Sequence, residues 1–219
     1  MTDRAQSPVV TLVTVLYQPD WNRTGPIIEQ ALRALDACNL AGELVVMDNS
    51  PSPTVEALAL CPARPGCRYV WNQGYNIYIA GALSAAVRLA HAPKMLYFCA
   101  SHGLQNDPTW LTDLIEPLVD QKVGLAGHVQ PCEFNRVAAV PEDIIEPQIH
   151  VQGGLWAARR EVLQEFGFGH RFPFEFCDVD LSRRLVAADY RLASVPTVAS
   201  VAGGVIPDPE HYKYVHDYR

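Results

Sequence analysis

Charge, metal-ligand motifs and glycine-rich phosphate loops are all scarce in this 219-residue sequence. Charged residues make up 19%, below the ~25% usual for globular domains. Lysine and arginine total 17 against 24 acids, a net charge of 17 − 24 = −7. A chain of that sign is a poor non-specific binder of nucleic acid or of an anionic membrane. The cysteines at 38, 61, 67, 99, 132 and 177 form no Cys-x-x-Cys pair, and the histidines show no His-Glu-x-x-His or other ligand spacing. No Gly-x-Gly-x-x-Gly follows the first apolar run and no Gly-x4-Gly-Lys-[Ser/Thr] occurs anywhere. Dinucleotide and P-loop readings lose their main support. The opening MTDRAQSPVV lacks a charged-then-apolar leader, so the expectation is a cytoplasmic protein with reduced, mostly buried thiols. A Cys61–Cys67 disulfide is the alternative for a secreted chain. The charge-free stretches Tyr69–Val87 and Leu192–Pro207 are broken by Asn72, Gln73 and Asn76, and by Pro196 and a Gly-Gly. Neither predicts a membrane span.

What is present is an ordinary apolar fraction, 49%. A chain of this length buries roughly 70% of its unfolded surface and folds without disulfides or a structural metal. Disorder, collagen and coiled coil are excluded. The β-branched run Val9–Leu16 predicts a central strand covered on both faces. Thr24 is a helix cap, with the stripe Ile28, Ala31, Leu32, Leu35 leading to Ala37. Leu44–Met47, Arg68–Trp71, Met95–Cys99 and Val123–Ala126 read as further strands. A helix is expected around Ile79–Ala90, and another begins at Asp107-Pro108, with Pro117 a break. Residues 128–150 read as irregular, followed by a helix from Ala158 to Phe166, an aromatic glycine-rich loop over 167–177, a helix over 178–188 and a strand over 190–195. The alternation predicts an α/β fold with a mostly parallel sheet flanked by helices and an α+β second half.

Ligands of open α/β sheets bind outside the carboxyl ends of the strands. That rule selects Tyr17–Asp20, Asp48–Ser50, Asn72–Asn76, Cys99–His102 and the 167–178 loop. Asp48 either accepts from a ribose hydroxyl or base imide, or closes an Asx turn with Asn49 and Ser50. Asn72 and Gly74 offer side-chain amide and close backbone approach, or only a turn. Asp178 is a general base at the mouth of a cleft or an N-terminal helix carboxylate. Asp180, two residues on, points elsewhere on a helix, so the pair is not a chelating Asp-x-Asp. Arg183 and Arg184 read as partners for carboxylates of that helix. His102 is the histidine placed at a strand end.

Together, VTVLYQPD, LVVMDNSPSP, YVWNQGYNIYIAGA and QGGLWAARREVLQEFGF followed by FEFCDVDLSRR resemble the family 2 glycosyltransferases of GT-A fold, in their rhamnosyltransferase-like branch. The resemblance runs from about residue 9 to 204. It implies a single GT-A domain over 1–219: a nucleotide-binding half (about 9–127), an acceptor-side half (about 128–204) and a tail (205–219). It also implies an inverting transferase moving a sugar from a UDP- or dTDP-sugar to a glycan or other hydroxyl acceptor, in polysaccharide biosynthesis. By the same match Asp178 is the general base, and Tyr17, Gln18, Asp48, Asn49, Asn72, Gly74 and Ser101 line the nucleotide. Gly153, Trp156 and Glu175 then face the acceptor or sugar.

The family holds its diphosphate with a divalent metal on an Asp-x-Asp after strand four. Here that strand ends Tyr97-Phe98-Cys99-Ala100-Ser101-His102. The late histidine is replaced by Ser200, the acid before the base by Cys177 and the second Asn by Ala80. Mg²⁺ and Mn²⁺ prefer carboxylate oxygens, so the reading is no metal and no cofactor, with His102, Ser101 or backbone N–H groups meeting the diphosphate. The alternatives are a degenerate relative that binds nucleotide or glycan without turnover or serves as a partner subunit, and an α/β protein of another class such as a Rossmann-like methyltransferase. Homo-oligomerisation stays open.

Overall fold

The computed structural model describes residues 7–131, 149–169, 173 and 177–198. Seven strands form one sheet in the order β3-β2-β1-β4-β6-β5-β7. They are β1 Val10–Leu16, β2 Gly42–Asp48, β3 Cys67–Trp71, β4 Lys94–Phe98, β5 Val123–Pro131, β6 Ile149–Arg159 and β7 Arg191–Ser194. Only β6 runs against its neighbours, pairing antiparallel with both β4 and β5. Six carboxyl ends and the entry of β6 therefore lie along one edge of the sheet, the geometry that assembles a site.

Helices α1 Trp21–Ala37, α2 Val55–Leu60, α3 Tyr78–Leu89, α4 Thr109–Ile115, α5 Arg160–Phe166 and α6 Cys177–Ala187 cover the sheet. One core joins Leu12, Leu44 and Phe98 to Ile28 of α1 and Trp110 and Leu114 of α4. The other joins Val13, Met47 and Tyr97 to Leu83 of α3, Leu163 of α5 and Leu181 of α6. This two-sided burial is why β1 carries no exposed polar alternation.

Several boundaries differ from expectation. Asp20, not Thr24, caps α1: its Oδ1 accepts from Asn22 N–H at 3.1 Å, and Thr24 is buried within the helix. Asp107 accepts from Thr109 N–H, so α4 starts one residue after Pro108. The short α2 was not foreseen, because the prolines at 51 and 53 mask the apolar turn behind them. Most of β6 was also missed: its Gly153-Gly154 step reads as loop, and Ala158 belongs to the strand. Strand β5 runs five residues past the expected Ala126, to Pro131. The Cys61 and Cys67 sulfurs lie 2.7 Å apart.

Two buried charges fasten the edge opposite the site. Glu43 accepts from Thr11 Oγ1, from the N–H groups of His91 and Ala92, and from Arg68 at 2.7 Å. Arg159 donates to the carbonyls of Leu118, Asp120, Gln121 and Val123. Among the described residues no helix is long and apolar enough to cross a membrane.

Candidate functional site

The loops after β1, β2 and β3 interlock. Gln18 sits at φ 45° and its N–H donates to Ser50 Oγ at 2.8 Å. Asn49 donates to the Tyr78 carbonyl and accepts from the Asn72 amide. Gly74 takes φ 84°, and a Cβ there would lie 3.2 Å from the Pro51 carbonyl. Backbone this unusual persists where surrounding bonds over-determine it. Around it Tyr17 is 54% and Tyr75 73% exposed, two aromatic faces at the strand ends with their rings in solvent.

Asp48 does not present its carboxylate to that surface. It is fully buried. One oxygen accepts from Ser50 N–H (2.8 Å), the other from Thr54 N–H (2.9 Å) and Tyr69 Oη–H (2.6 Å). Burial opposes ionisation, but these donors outweigh it and hold the acid below its ordinary range. The Asx-turn alternative therefore describes this arrangement, and Asp48 shapes the loop that follows β2. Tyr69, which completes it, was not singled out in the sequence.

Asp178 lies in the first turn of α6, which packs on β6. A Cβ on Gly153 would sit 2.9 Å from Asp178 Oδ2, so glycine there lets the carboxylate close on the strand backbone. Burial is the largest influence on this acid and raises its pKa. The charge of His150 and the N–H groups of Val179 and Gly153 act in the opposite direction and do not cancel it. A carboxylate more basic than usual suits proton removal near neutral pH. Asp180 faces away, bonded to Arg184 at 2.8 Å, as the helical spacing requires.

His102 follows the next strand end. His102 N–H donates to the Cys99 carbonyl at 3.0 Å. A Cβ on the neighbouring Gly154 would lie 2.9 Å from His102 Nδ1. The Gly-Gly step thus seats Asp178 at one residue and His102 at the next. Ser101 is exposed, its Oγ 3.0 Å from Cys99 Sγ. Asp178, Ile79, Tyr97, Gly153, Trp156 and Cys177 line a small space of only about 10 Å³. Trp156 is only 2% exposed, with Tyr97 5.6 Å and Phe168 5.9 Å from its ring centroid. It packs as core under the site, not as the sugar-facing platform expected of it. Glu175 and Ser200 lie outside the described residues. A roomier cavity of about 240 Å³ between α1, β2 and β3, lined by Leu35, Asp36, Arg64 and Cys67, holds none of these groups.

The donor set fits a hard divalent cation poorly. Strand β4 is followed by Cys99, Ala100, Ser101 and His102, and Asp107, five residues further, accepts from Thr109 N–H. Among the described residues no three His, Cys, Asp or Glu side chains are grouped to hold a metal. Mg²⁺ and Mn²⁺ sites are built from carboxylate and carbonyl oxygens.

No protein-family model matches the chain. A stretch of 109 residues, 50% of the chain, is 31% identical to UDP-N-acetylmuramoylalanine–D-glutamate ligase of Burkholderia multivorans and spans 22% of that protein. In fold the chain is similar to a mannosyltransferase of Pyrobaculum calidifontis solved with GDP-mannose and Mn²⁺ (TM-score 0.65, 24% identity over 88% of this chain and 56% of that one). It is similar also to GalNAc-T7 with UDP, GalNAc and Mn²⁺ (0.70, 14%, 88% and 43%). A third likeness is to the Mycobacterium tuberculosis glucosyl-3-phosphoglycerate synthase with Mn²⁺, UDP and glucosyl-3-phosphoglycerate (0.55, 17%, 86% and 70%). The chain thus spans about half the length of the first two. The fold is that of GT-A-type glycosyltransferases.

Proposed function

We propose that the chain is an inverting glycosyltransferase that moves a sugar from a nucleoside-diphosphate sugar to a hydroxyl acceptor. The carrying observation is Asp178: a carboxylate of raised pKa, seated by Gly153 at the sheet edge where the fold gathers its loops, with His102 held at the adjoining Gly154. The acceptor oxygen attacks the anomeric carbon, its proton passes to Asp178, and the bond to the diphosphate breaks on the opposite face. The departing oxygens gather negative charge, which a positioned cation or N–H donors stabilise. His102, with its pKa raised mainly by the nearby Cys99, is the local group able to answer that charge, with Ser101 beside it. Tyr17, Gln18, Asn49, Asn72 and Gly74 form the nucleotide wall, and Asp48 holds that wall in shape.

The solved neighbours carry Mn²⁺, whereas the donor chemistry of this chain favours a metal-independent reaction. UDP- or dTDP-sugars are the proposed donors, with residues 9–127 binding the donor and 128–204 the acceptor, in the rhamnosyltransferase-like manner of polysaccharide biosynthesis and in the cytoplasm. A thermal-shift and hydrolysis screen across nucleotide sugars tests this. Stabilisation together with slow donor hydrolysis or transfer, lost in Asp178→Asn, is expected, whereas turnover unchanged in Asp178→Asn overturns the assignment of the base.

A second reading has its own support: the carboxylate after β2 is satisfied within its turn and the residues after β4 lack acids. A nucleotide- or glycan-binding protein without turnover would show a thermal shift with no hydrolysis. His102→Ala would then change little, whereas the enzyme reading expects roughly a hundredfold rate loss from removing one preorganised charge-stabilising group.

A further inference from the structure

Cys61 closes α2 and Cys67 opens β3, and the chain between them turns back on itself. Cys61 N–H donates to the Ala57 carbonyl at 3.2 Å, Arg64 N–H to the Cys61 carbonyl at 3.2 Å and Cys67 N–H to the Arg64 carbonyl at 3.1 Å. Gly66, at φ 78°, makes the turn into the strand, and a Cβ there would stand 3.4 Å from the Gly42 carbonyl. Leu44 N–H donates to the Gly66 carbonyl at 3.0 Å, and Leu44 is the register partner of Cys67, so β2 fixes the far side of the loop. This backbone brings the Cys61 and Cys67 sulfurs to 2.7 Å from one another. Cys61 is only 2% exposed, whereas Cys67 is half-buried and lines the cavity of about 240 Å³ beside Arg64, Pro65 and Gly66. We propose that Cys61 and Cys67 form a peroxide-sensitive dithiol, a modification site that closes reversibly to a disulfide between α2 and β3.

Two cysteines are bridged without backbone movement only where the fold already holds their side chains together, and here the loop bonds do so. The hydrogen bond from Cys67 also holds the Cys61 thiol below its ordinary range against burial, while the same bond and burial push Cys67 up. Cys61 is therefore the nucleophile and Cys67 the resolving thiol. The Cys61 sulfur attacks a peroxide oxygen: an S–O bond forms, the O–O bond breaks, and hydroxide leaves and takes up the Cys61 proton as water. The Cys67 sulfur then attacks the sulfenic sulfur: the S–S bond forms, the S–O bond breaks, and the second oxygen leaves as water with the Cys67 proton. Two electrons pass from the sulfurs to the peroxide. The bond would brace two elements that meet at Asp48, because Thr54 N–H at the start of α2 and Tyr69 Oη–H of β3 both donate to that carboxylate.

The pair stands apart from the donor reading, because its oxidation needs no nucleotide sugar. In the test the intact chain is exposed to hydrogen peroxide, its remaining thiols are blocked with iodoacetamide, and each cysteine is followed by peptide mass spectrometry with and without dithiothreitol. Cys38, half-buried with its thiol donating to the Pro108 carbonyl, is the internal comparator. A peptide linking Cys61 to Cys67, lighter by the two thiol hydrogens, should accumulate about tenfold faster than the Cys38 thiol is lost, and dithiothreitol should reverse it. In Cys67→Ser the link should vanish and Cys61 should gain oxygen instead. Cys61 and Cys67 both still alkylated once half of Cys38 is oxidised overturns the pair, as does linkage of either one to a different cysteine. A Cys61 that gains no oxygen in Cys67→Ser overturns its role as the nucleophile.

Discussion

At the residue scale, two acids that look alike in the sequence behave oppositely. Asp178 has a raised pKa in the folded chain, so its contribution to stability is full below its unfolded pKa and is lost as pH rises through the folded value. Asp178→Asn should therefore raise the Tm at pH 7 while lowering the transfer rate by about 10²-fold or more, with donor affinity retained in calorimetry. A stabilised but inactive variant is the signature of a carboxylate kept for chemistry. Asp48 is lowered, so its contribution is present above its unfolded pKa and is lost as pH falls. Asp48→Asn should cost about 1–3 kcal/mol at pH 7, because Thr54 N–H and Tyr69 Oη–H lose a charged acceptor. Tyr69→Phe should cost less, about 1 kcal/mol. Urea unfolding measures both. The sequence marks Asp48 and Asp178 equally by position at strand and helix ends. It cannot tell them apart, since what separates them is which donors surround each carboxylate.

At the scale of elements, the site depends on β6. Its two glycines admit Asp178 and His102 to within 2.9 Å of where a Cβ would stand. Gly153→Ala should push the Asp178 carboxylate outward and depress activity. Gly154→Ala should displace His102 and depress activity. Each should cost about 1–3 kcal/mol from overpacking, and a Gly154→Ala protein with wild-type stability and activity would refute the contact. The same glycines are why this strand was hard to read. Gly-Gly argues for a loop, and the apolar residues beyond it, Leu155 to Ala158, resemble the start of a helix. Strands β1, β2 and β4 were legible because burial on both faces demands unbroken apolar runs.

For the whole molecule, a charge deficit and a 219-residue length led to a GT-A-type fold whose sheet edge at the carboxyl ends carries few free carboxylates among the described residues. The acids that are deeply placed serve structure instead. Glu43, lowered by Thr11, His91, Arg68 and Ala92 against the opposing effect of burial, ties β1, β2 and the entry to β4 at the far edge. Glu43 and Asp48 both gain protons more readily in the unfolded chain, whose carboxylates titrate near ~4, so stability should fall as pH drops below about 4.5. Glu43→Gln should flatten that acid dependence while lowering the Tm at pH 7 by several degrees, at roughly 2–4 °C per kcal/mol. Tm recorded from pH 3 to 7 in both proteins checks this.

The central claim is donor recognition that does without a divalent cation. The direct measurement is isothermal calorimetry of UDP- and dTDP-sugars binding to the wild-type chain, with EDTA and with added Mn²⁺. The account predicts that one donor class binds with affinities within about twofold of each other in the two conditions, since Cys99, Ala100, Ser101 and His102 present no hard oxygen set for the metal. A tenfold loss of affinity on chelation would contradict it.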